Sequence, residues 1–453
     1  MKIAGRKVLV IGLGKTGLAT VRFLTGRGAL CFVTDEKPSD AVERLLDGED
    51  LRAKTEIVAY DTSCLAKVDL VVPSPGVPPS NPLLQEALRR GTPIISEIEL
   101  AYRFLSCPVI AITGTNGKTT TTTLTGNILK RAGKKVFVGG NIGDPLIGFA
   151  AGAQDADYAV VEVSSFQLQW SEYFCPAVAV LLNTTCDHVN YHGSFEAYRQ
   201  VKERIFANQT REQRAIINAA EWMGTDLKSV PLPQLSARVA YFSSKAPVVR
   251  GMYLAAEGLV HVSDAGHREI YPLDMVKIPG RHNLENVMAA ILAARECGLP
   301  RDAIVAAIAD FKGLPHRIEF AGEKKGVAFY DDSKGTNVDA VVRALESFSG
   351  PLFLLMGGRD KDGDFETLAP LIKGKVRELV LFGEARERIG KALGGIVKTS
   401  TVPTLREAIM AAYQQAAEGD VVLLSPGCAS FDEFSDYKAR GVFFKNVVGN
   451  LDE

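Results

Sequence analysis

Residues 109–123, VIAITGTNGKTTTTT, restrict what this chain can fold into more than any other stretch. An apolar run, Val109, Ile110, Ala111 and Ile112, leads into a turn holding Gly114 and Gly117, then Lys118 and a block of threonines that opens a helical pattern. A buried strand feeding a glycine turn and a helix offers unpaired backbone N–H groups and the positive end of a helix dipole to an anion. The phosphates of ATP are expected there. The common nucleotide loop GxxxxGK[ST] would place glycine where this chain has Ile112, so GTNGKTT is read as a compact variant. A plain strand-to-helix turn needs the glycines but has no use for Asn116 and Lys118 beside them.

Composition sets the frame around that loop. A chain of 453 residues with 46% hydrophobic content has room for about three domains, each with its own core. A net charge of −1 provides no positive field for a polyanion, which argues against nucleic acid. Seven cysteines without CxxC spacing fit reduced thiols rather than a disulfide framework or zinc cluster, so a cytoplasmic protein is expected. The apolar run before Gly12 is too short for a signal-peptide core. No stretch approaches the roughly 20 apolar residues that span a bilayer, so no membrane insertion is expected.

Near the start, Lys7 to Ile11 reads as a strand, followed by Gly12-Leu13-Gly14-Lys15-Thr16-Gly17 and a helical pattern. A second apolar run ends at Asp35, 18 residues beyond Gly17, where a carboxylate commonly meets a ribose hydroxyl. The pattern recognises a pyrophosphate at a helix N-terminus, which NAD and a UDP-linked substrate both offer. The proline-rich PSPGVPPSNP that follows a further apolar run makes a stiff loop, and its Ser74 and Gly76 either line the same cleft or belong to a rigid connector. In the central region, VGGNIG (138–143) implies a tight turn. YAVVEV (158–163) is a buried strand broken only by Glu162, before Ser164, and magnesium is the natural partner for that lone acid beside a phosphate loop. His188 follows another strand at a position suited to a ligand. Lys202, on the helical segment 195–208, reads on pattern alone as a solvated surface group.

Short β-like runs over 215–274 are expected to be antiparallel strands appended to the central sheet. Asn283 and Asn286 then open a long apolar helix, where amides cap or reach a base. After 313–317, strands alternating with helices imply a third α/β domain, with Asp332, Lys334, Arg359 and Lys361 at strand exits. The expected fold is α/β with three domains. These are an N-terminal Rossmann-like domain (1–96), a central P-loop ATPase-like domain with added β strands (97–313), and a C-terminal Rossmann-like domain (314–453).

Together, GTNGKTT, the Glu162 strand, HNLEN, LPHRIE and DDSKGTN resemble the ATP-dependent Mur ligase family of peptidoglycan synthesis, over nearly the whole chain. Within the family, VLVIGLGKTG, VVPSPG, GGNIG, VEVSSFQL and SPGCASFDEF resemble its D-glutamate-adding member. The resemblance implies a monomeric ligase that uses ATP and Mg2+ to add D-glutamate to UDP-N-acetylmuramoyl-L-alanine through an acyl phosphate, supporting cell wall biogenesis, cell shape and division. It implies that Gly114, Thr115, Asn116, Gly117, Lys118, Thr119 and Thr120 hold phosphates, and that Thr119 and Glu162 hold one magnesium. His188 would help hold a second. Lys202 falls on the family's carbamylated lysine, a metal-supporting role that replaces the bland reading.

By the same resemblance, Asn283, Asn286, Arg317, Asp332 and Lys334 contact ATP. Lys15, Thr16, Asp35, Ser74, Gly76, Asn141 and Ser164 fall among the UDP-substrate contacts, and Thr336, Lys361, Ser430, Phe431 and Tyr437 among those to D-glutamate. Phe431 and Tyr437 depart from the leucine and phenylalanine often found there but keep an apolar wall, and Arg359 receives no role. Rival readings are an NAD-dependent oxidoreductase, a non-catalytic nucleotide sensor, another amino-acid-adding Mur ligase and a folylpolyglutamate synthase. The first leaves GTNGKTT and the third domain unexplained, and the N-terminal domain argues against the last.

Overall fold

Strands covered on both faces read as unbroken apolar runs, and three groups of such runs become three sheets in the computed structural model. The structure describes residues 1–185, 189–219, 235–360 and 363–451. The first sheet has four parallel strands in the order Thr55–Ile57, Leu30–Thr34, Lys7–Ile11 and Leu70–Pro73. The chain leaves Lys7–Ile11 through Gly12 (φ +86°) and enters helix Lys15–Gly26. A Cβ on Gly17 would collide with the carbonyl of Gly12 and lie 2.8 Å from Ser74 Oγ, so this glycine lets the helix press onto the strand exit.

Among the described residues the central sheet has nine strands. Val136–Gly140, Tyr158–Glu162, Val109–Thr113, Val178–Leu181, Arg214–Asn218, Arg238–Ser243 and Gly251–Ala255 follow one another in parallel. Gly258–Val262 and Arg268–Tyr271 complete the sheet as antiparallel strands. The expectation of antiparallel strands throughout 215–274 therefore holds only for the last two. Arg214–Asn218 is buried at every position, the signature of a parallel interior strand rather than an appended hairpin.

The third sheet runs Glu319–Lys324, Val327–Asp331, Val421–Gly427, Leu352–Gly357, Val376–Phe382 and Lys398–Thr401. It is parallel except for its first pair. Glu319–Lys324 was not anticipated, because EFAGEK is half-exposed and carries charge. It forms through the tight turn at Lys325 (φ +49°) and Gly326 (φ +74°), whose positive angles suit a two-residue hairpin.

These sheets belong to two compact units. One comprises Met1–Met275 and Glu285–Ile308, the other Val276–Leu284 and Ala309–Glu453. The first two sheets share a unit because one hydrophobic core runs through both, from Val8, Val10 and Leu24 to Leu146, Ile147 and Val161. Arg27, at the end of helix Lys15–Gly26, also donates to the Ala150 carbonyl at 3.2 Å. Among the described residues, no helix is long and apolar enough to cross a membrane.

Gly17→Ala is expected to lower unfolding stability by about 1–3 kcal/mol through overpacking. Gly14→Ala, where a new Cβ meets nothing within 4 Å, is expected to stay within about 1 kcal/mol of the wild type. Urea denaturation of both variants compares the two positions.

Candidate active site

Each sheet delivers chemistry at the carboxyl ends of its strands. Helix Lys118–Arg131 begins directly after the 114–117 turn, with Gly117 (φ +85°) at its N-cap and no side chain capping it. The neighbouring strand exit moulds the turn. Asn183 Oδ1 accepts the N–H groups of Thr115 (3.1 Å) and Asn116 (2.8 Å), while its Nδ2 donates to Asn116 O at 3.0 Å. Thr115 N–H also reaches Asn183 O, and Thr185 N–H donates to Thr115 Oγ1 at 3.0 Å. Lys118 Nζ folds back to the carbonyls of Gly114 (2.9 Å) and Thr115 (2.8 Å). Thr119 lies half-buried in the first helical turn and Thr120 is buried.

Two further elements close on this loop. Asn286 is buried against Gly117, where a Cβ would strike Asn286 Oδ1, and Thr121 Oγ1 donates to that oxygen at 3.3 Å. Lys202, only 1% exposed, donates from Nζ to Gly114 O at 2.8 Å and lies 4.6 Å from the Tyr198 ring centroid. Tyr198 in turn shares a 3.1 Å hydrogen bond with Thr115 Oγ1. The reading of Lys202 as a solvated surface group is thus corrected: its helix, Phe195–Glu203, packs this face inward.

Glu162 pairs in register with Ile112 on one side and Gly140 on the other, one residue from the strand end that feeds the phosphate loop. It is 2% exposed. Asn141 Nδ2 donates to Oε1 at 2.8 Å, whereas Oε2 has no hydrogen-bond partner among the described residues. An orphaned, buried carboxylate oxygen beside a phosphate loop fits a divalent cation. Gly140 is required by the same neighbour, since a Cβ there would collide with the Glu162 carbonyl. His188 lies outside the described residues, as do Cys186 and Asp187.

A cavity of about 570 Å³ gathers Lys15, Thr16, Asp35, Ser74, Gly76 and Asn141 around the first glycine turn. Several of these side chains shape the cleft itself. Asp35 accepts the N–H of Leu13 (2.6 Å) and of Lys37 (3.0 Å), and Ser74 Oγ donates to Gly12 O at 2.7 Å. Lys15 Nζ bridges to Gly143 O (2.7 Å) and Asp144 (3.0 Å), joining the glycine turn to the 138–143 turn. Ser164 is a buried N-cap, locked with Gln167 in a capping box.

In the second unit, Asp332, Lys334 and Thr336 follow strand Val327–Asp331, and Ser430, Phe431 and Tyr437 follow Val421–Gly427. Burial pushes the Asp332 carboxyl up to about 7, against the Ser425 hydroxyl bond and the Arg317 charge, which pull it down. Lys334 Nζ lies 5.3 Å from the Tyr437 ring centroid. Ser430 is buried, and Phe431 is exposed. Asn283 Nδ2 donates to Pro279 O at 2.6 Å, at the start of helix Arg281–Glu296. Arg359 forms a paired contact with Glu384 (2.9 and 2.8 Å). Lys361 lies outside the described residues.

Sequence reasoning gave no role to Asn183, Tyr198 or Arg440. Arg440 is fully buried and donates to Ser333 O (2.8 Å) and Cys428 O (3.1 Å), tying two strand-exit loops together. An asparagine immediately after an apolar strand was the available signal for Asn183. Nothing local marked the other two.

The chain belongs to the Mur ligase family. Residues 6–96 match the N-terminal domain of MurD-like Mur ligases, 112–294 the Mur ligase middle domain, and 316–428 the Mur ligase glutamate ligase domain. The UDP-N-acetylmuramoylalanine--D-glutamate ligase of Syntrophus aciditrophicus is 59% identical, over 99% of this chain and 98% of that protein. The enzyme of the same name from Acidobacterium capsulatum is 44% identical, over 99% and 97%. Among solved structures, the UDP-N-acetylmuramate-alanine ligase of Thermotoga maritima superposes with a TM-score of 0.58 at 18% identity, covering 99% of this chain and 100% of that one. A MurF ligase from Thermotoga maritima, solved with ADP, gives 0.60 at 18%, covering 99% and 96%. These two similarities establish the shared α/β architecture.

Two outcomes test the site's energetics. Asn183→Ala removes the acceptor of two loop N–H groups and is expected to destabilise the chain by about 1–3 kcal/mol, read by urea denaturation. Because the folded pKa of Asp332 is raised above 3.8, its contribution to stability is present at low pH and lost as pH rises through about 7. The melting temperature of Asp332→Asn relative to wild type is therefore expected to rise between pH 5 and pH 8.

Proposed function

We propose that this protein joins D-glutamate to UDP-N-acetylmuramoyl-L-alanine at the expense of ATP, forming a peptide bond in peptidoglycan synthesis. The observation that carries this reading is the 59% identity, end to end, with a D-glutamate ligase. In the first step a carboxylate oxygen of the L-alanyl group attacks the γ-phosphorus of ATP and ADP leaves. The amine of D-glutamate then attacks the acyl carbon, the nitrogen loses a proton and phosphate departs. Transfer between two anions depends on positioning and positive charge more than on covalent help.

The roles are those that the family resemblance implies. Lys118 and the backbone of 114–120 are assigned to the phosphates, with Asn283, Asn286, Arg317, Asp332 and Lys334 assigned to the rest of ATP. Thr119 and Glu162 are assigned to Mg2+, with His188 and Lys202 at a second ion; the orphaned Glu162 oxygen supports this. When bound, magnesium supplies charge neutralisation between the two reacting anions. Lys202 is assigned as a carbamate, formed when its neutral amine adds to CO2 and loses a proton. Its burial at the phosphate loop, with Nζ 2.8 Å from Gly114 O, supports that role: a carbamate there would supply negative charge to hold magnesium.

Lys15, Thr16, Asp35, Ser74, Gly76, Asn141 and Ser164 are assigned to the UDP-linked substrate, and Thr336, Lys361, Ser430, Phe431 and Tyr437 to D-glutamate. The corresponding modules are 1–96, 97–313 and 314–453. The chain is proposed to act as a cytoplasmic monomer, as the family resemblance implies.

Phosphate release measured across D-glutamate, L-glutamate, L-alanine and diaminopimelate tests the reading. Release is expected only with D-glutamate and UDP-N-acetylmuramoyl-L-alanine together; turnover with a different amino acid would reassign specificity. Lys118→Ala is expected to lower kcat at least 100-fold, and Lys202→Ala to regain activity in part when a small carboxylic acid is added.

A further inference from the structure

The cleft of the first sheet has two chemically distinct ends. The glycine turn and the N-terminus of Lys15–Gly26 suit a diphosphate, and the exit of Leu30–Thr34 is where sheets of this kind meet a nucleoside. That nucleoside wall carries Asp35, Glu36, Lys37 and Tyr60. Both carboxylate oxygens of Asp35 already accept backbone N–H groups.

Tyr60 differs from its neighbours. It is 37% exposed and lines the cavity, yet its tip is fixed from two directions. Its hydroxyl donates to Glu36 Oε1 at 3.0 Å and accepts from Asn81 Nδ2 at 2.6 Å. Asn81 is itself anchored, because its Oδ1 caps helix Pro82–Arg90 through the Leu83 N–H at 2.9 Å. The ring is thus tied at once to a strand exit and to a helix N-terminus, and cannot swing freely into solvent. A clamped, solvent-facing aromatic ring at the nucleoside end of a diphosphate cleft is suited to stacking against a base.

We propose that Tyr60 is the platform on which the uracil of the UDP-linked substrate stacks, an inference that rests on the nucleotide assignment made above. The hydroxyl bonds set the pitch of the ring, and the π-face supplies affinity for the base. Tyr60 is therefore a substrate-binding residue that none of the family patterns in the sequence singled out.

Calorimetric titration of the full chain with UDP tests the assignment on Tyr60→Phe, Tyr60→Trp, Tyr60→Leu and Tyr60→Ala. Tyr60→Ala and Tyr60→Leu are expected to bind UDP at least fivefold more weakly, with Tyr60→Phe and Tyr60→Trp within threefold of wild type. Titration with ATP in the same samples reports that each variant is folded. In turnover assays the loss in Tyr60→Ala is expected in KM for the UDP-linked substrate rather than in kcat. Tyr60→Leu binding UDP as tightly as wild type, or Tyr60→Phe losing as much as Tyr60→Ala, would overturn the stacking role. A wild-type chain that fails to bind UDP would instead overturn the nucleotide assignment.

Discussion

The phosphate loop keeps its shape because a neighbouring strand exit closes it. Four residues, 114–117, cannot satisfy their own backbone groups, and a turn left to itself would collapse onto the helix below. The Asn183 amide prevents this by accepting from Thr115 and Asn116 while donating back to Asn116. Tyr198 and Lys202 brace the same turn through Thr115 Oγ1 and Gly114 O. Asn286 fills the space beside Gly117 that a side chain would otherwise occupy. The loop is therefore held by partners 67 or more residues away in sequence, and the parallel order of the central sheet is what brings them together.

That dependence explains what could be read in the sequence. Gly12, Gly14 and Gly17 advertise a strand, a turn and a helix because their spacing is local, and Glu162 stands out because an acid interrupts an otherwise apolar strand. Asn183 carried only the weaker signal of an asparagine after an apolar strand, because its role exists only where two strand exits lie side by side. Lys202 is the sharpest case: on helical periodicity it belongs outside, yet it is buried, and only the likeness to a known family pointed inward. The strands Arg214–Asn218 and Arg238–Ser243 were misread as antiparallel because short apolar runs do not encode their direction.

Several residues expected to meet ligands also serve as architecture. Ser74 holds the Gly12 carbonyl, Asn141 holds Glu162, and Ser164 caps its own helix. These are compatible duties, because a carboxylate or hydroxyl oxygen has more than one lone pair. They do mean that loss of activity after substitution at such a position mixes recognition with local folding. Lys118, whose ammonium rests on carbonyls of the loop it serves, shows the same economy.

Asp35 carries the consequence furthest. Its carboxylate joins the residue after Gly12 to the backbone of Lys37, so the rim of the cavity is assembled when the chain folds. A ligand entering such a preorganised rim has little loop motion to arrest. The entropy of ordering those residues is charged to folding rather than to binding. A nucleotide can then meet this rim without waiting for its backbone to order.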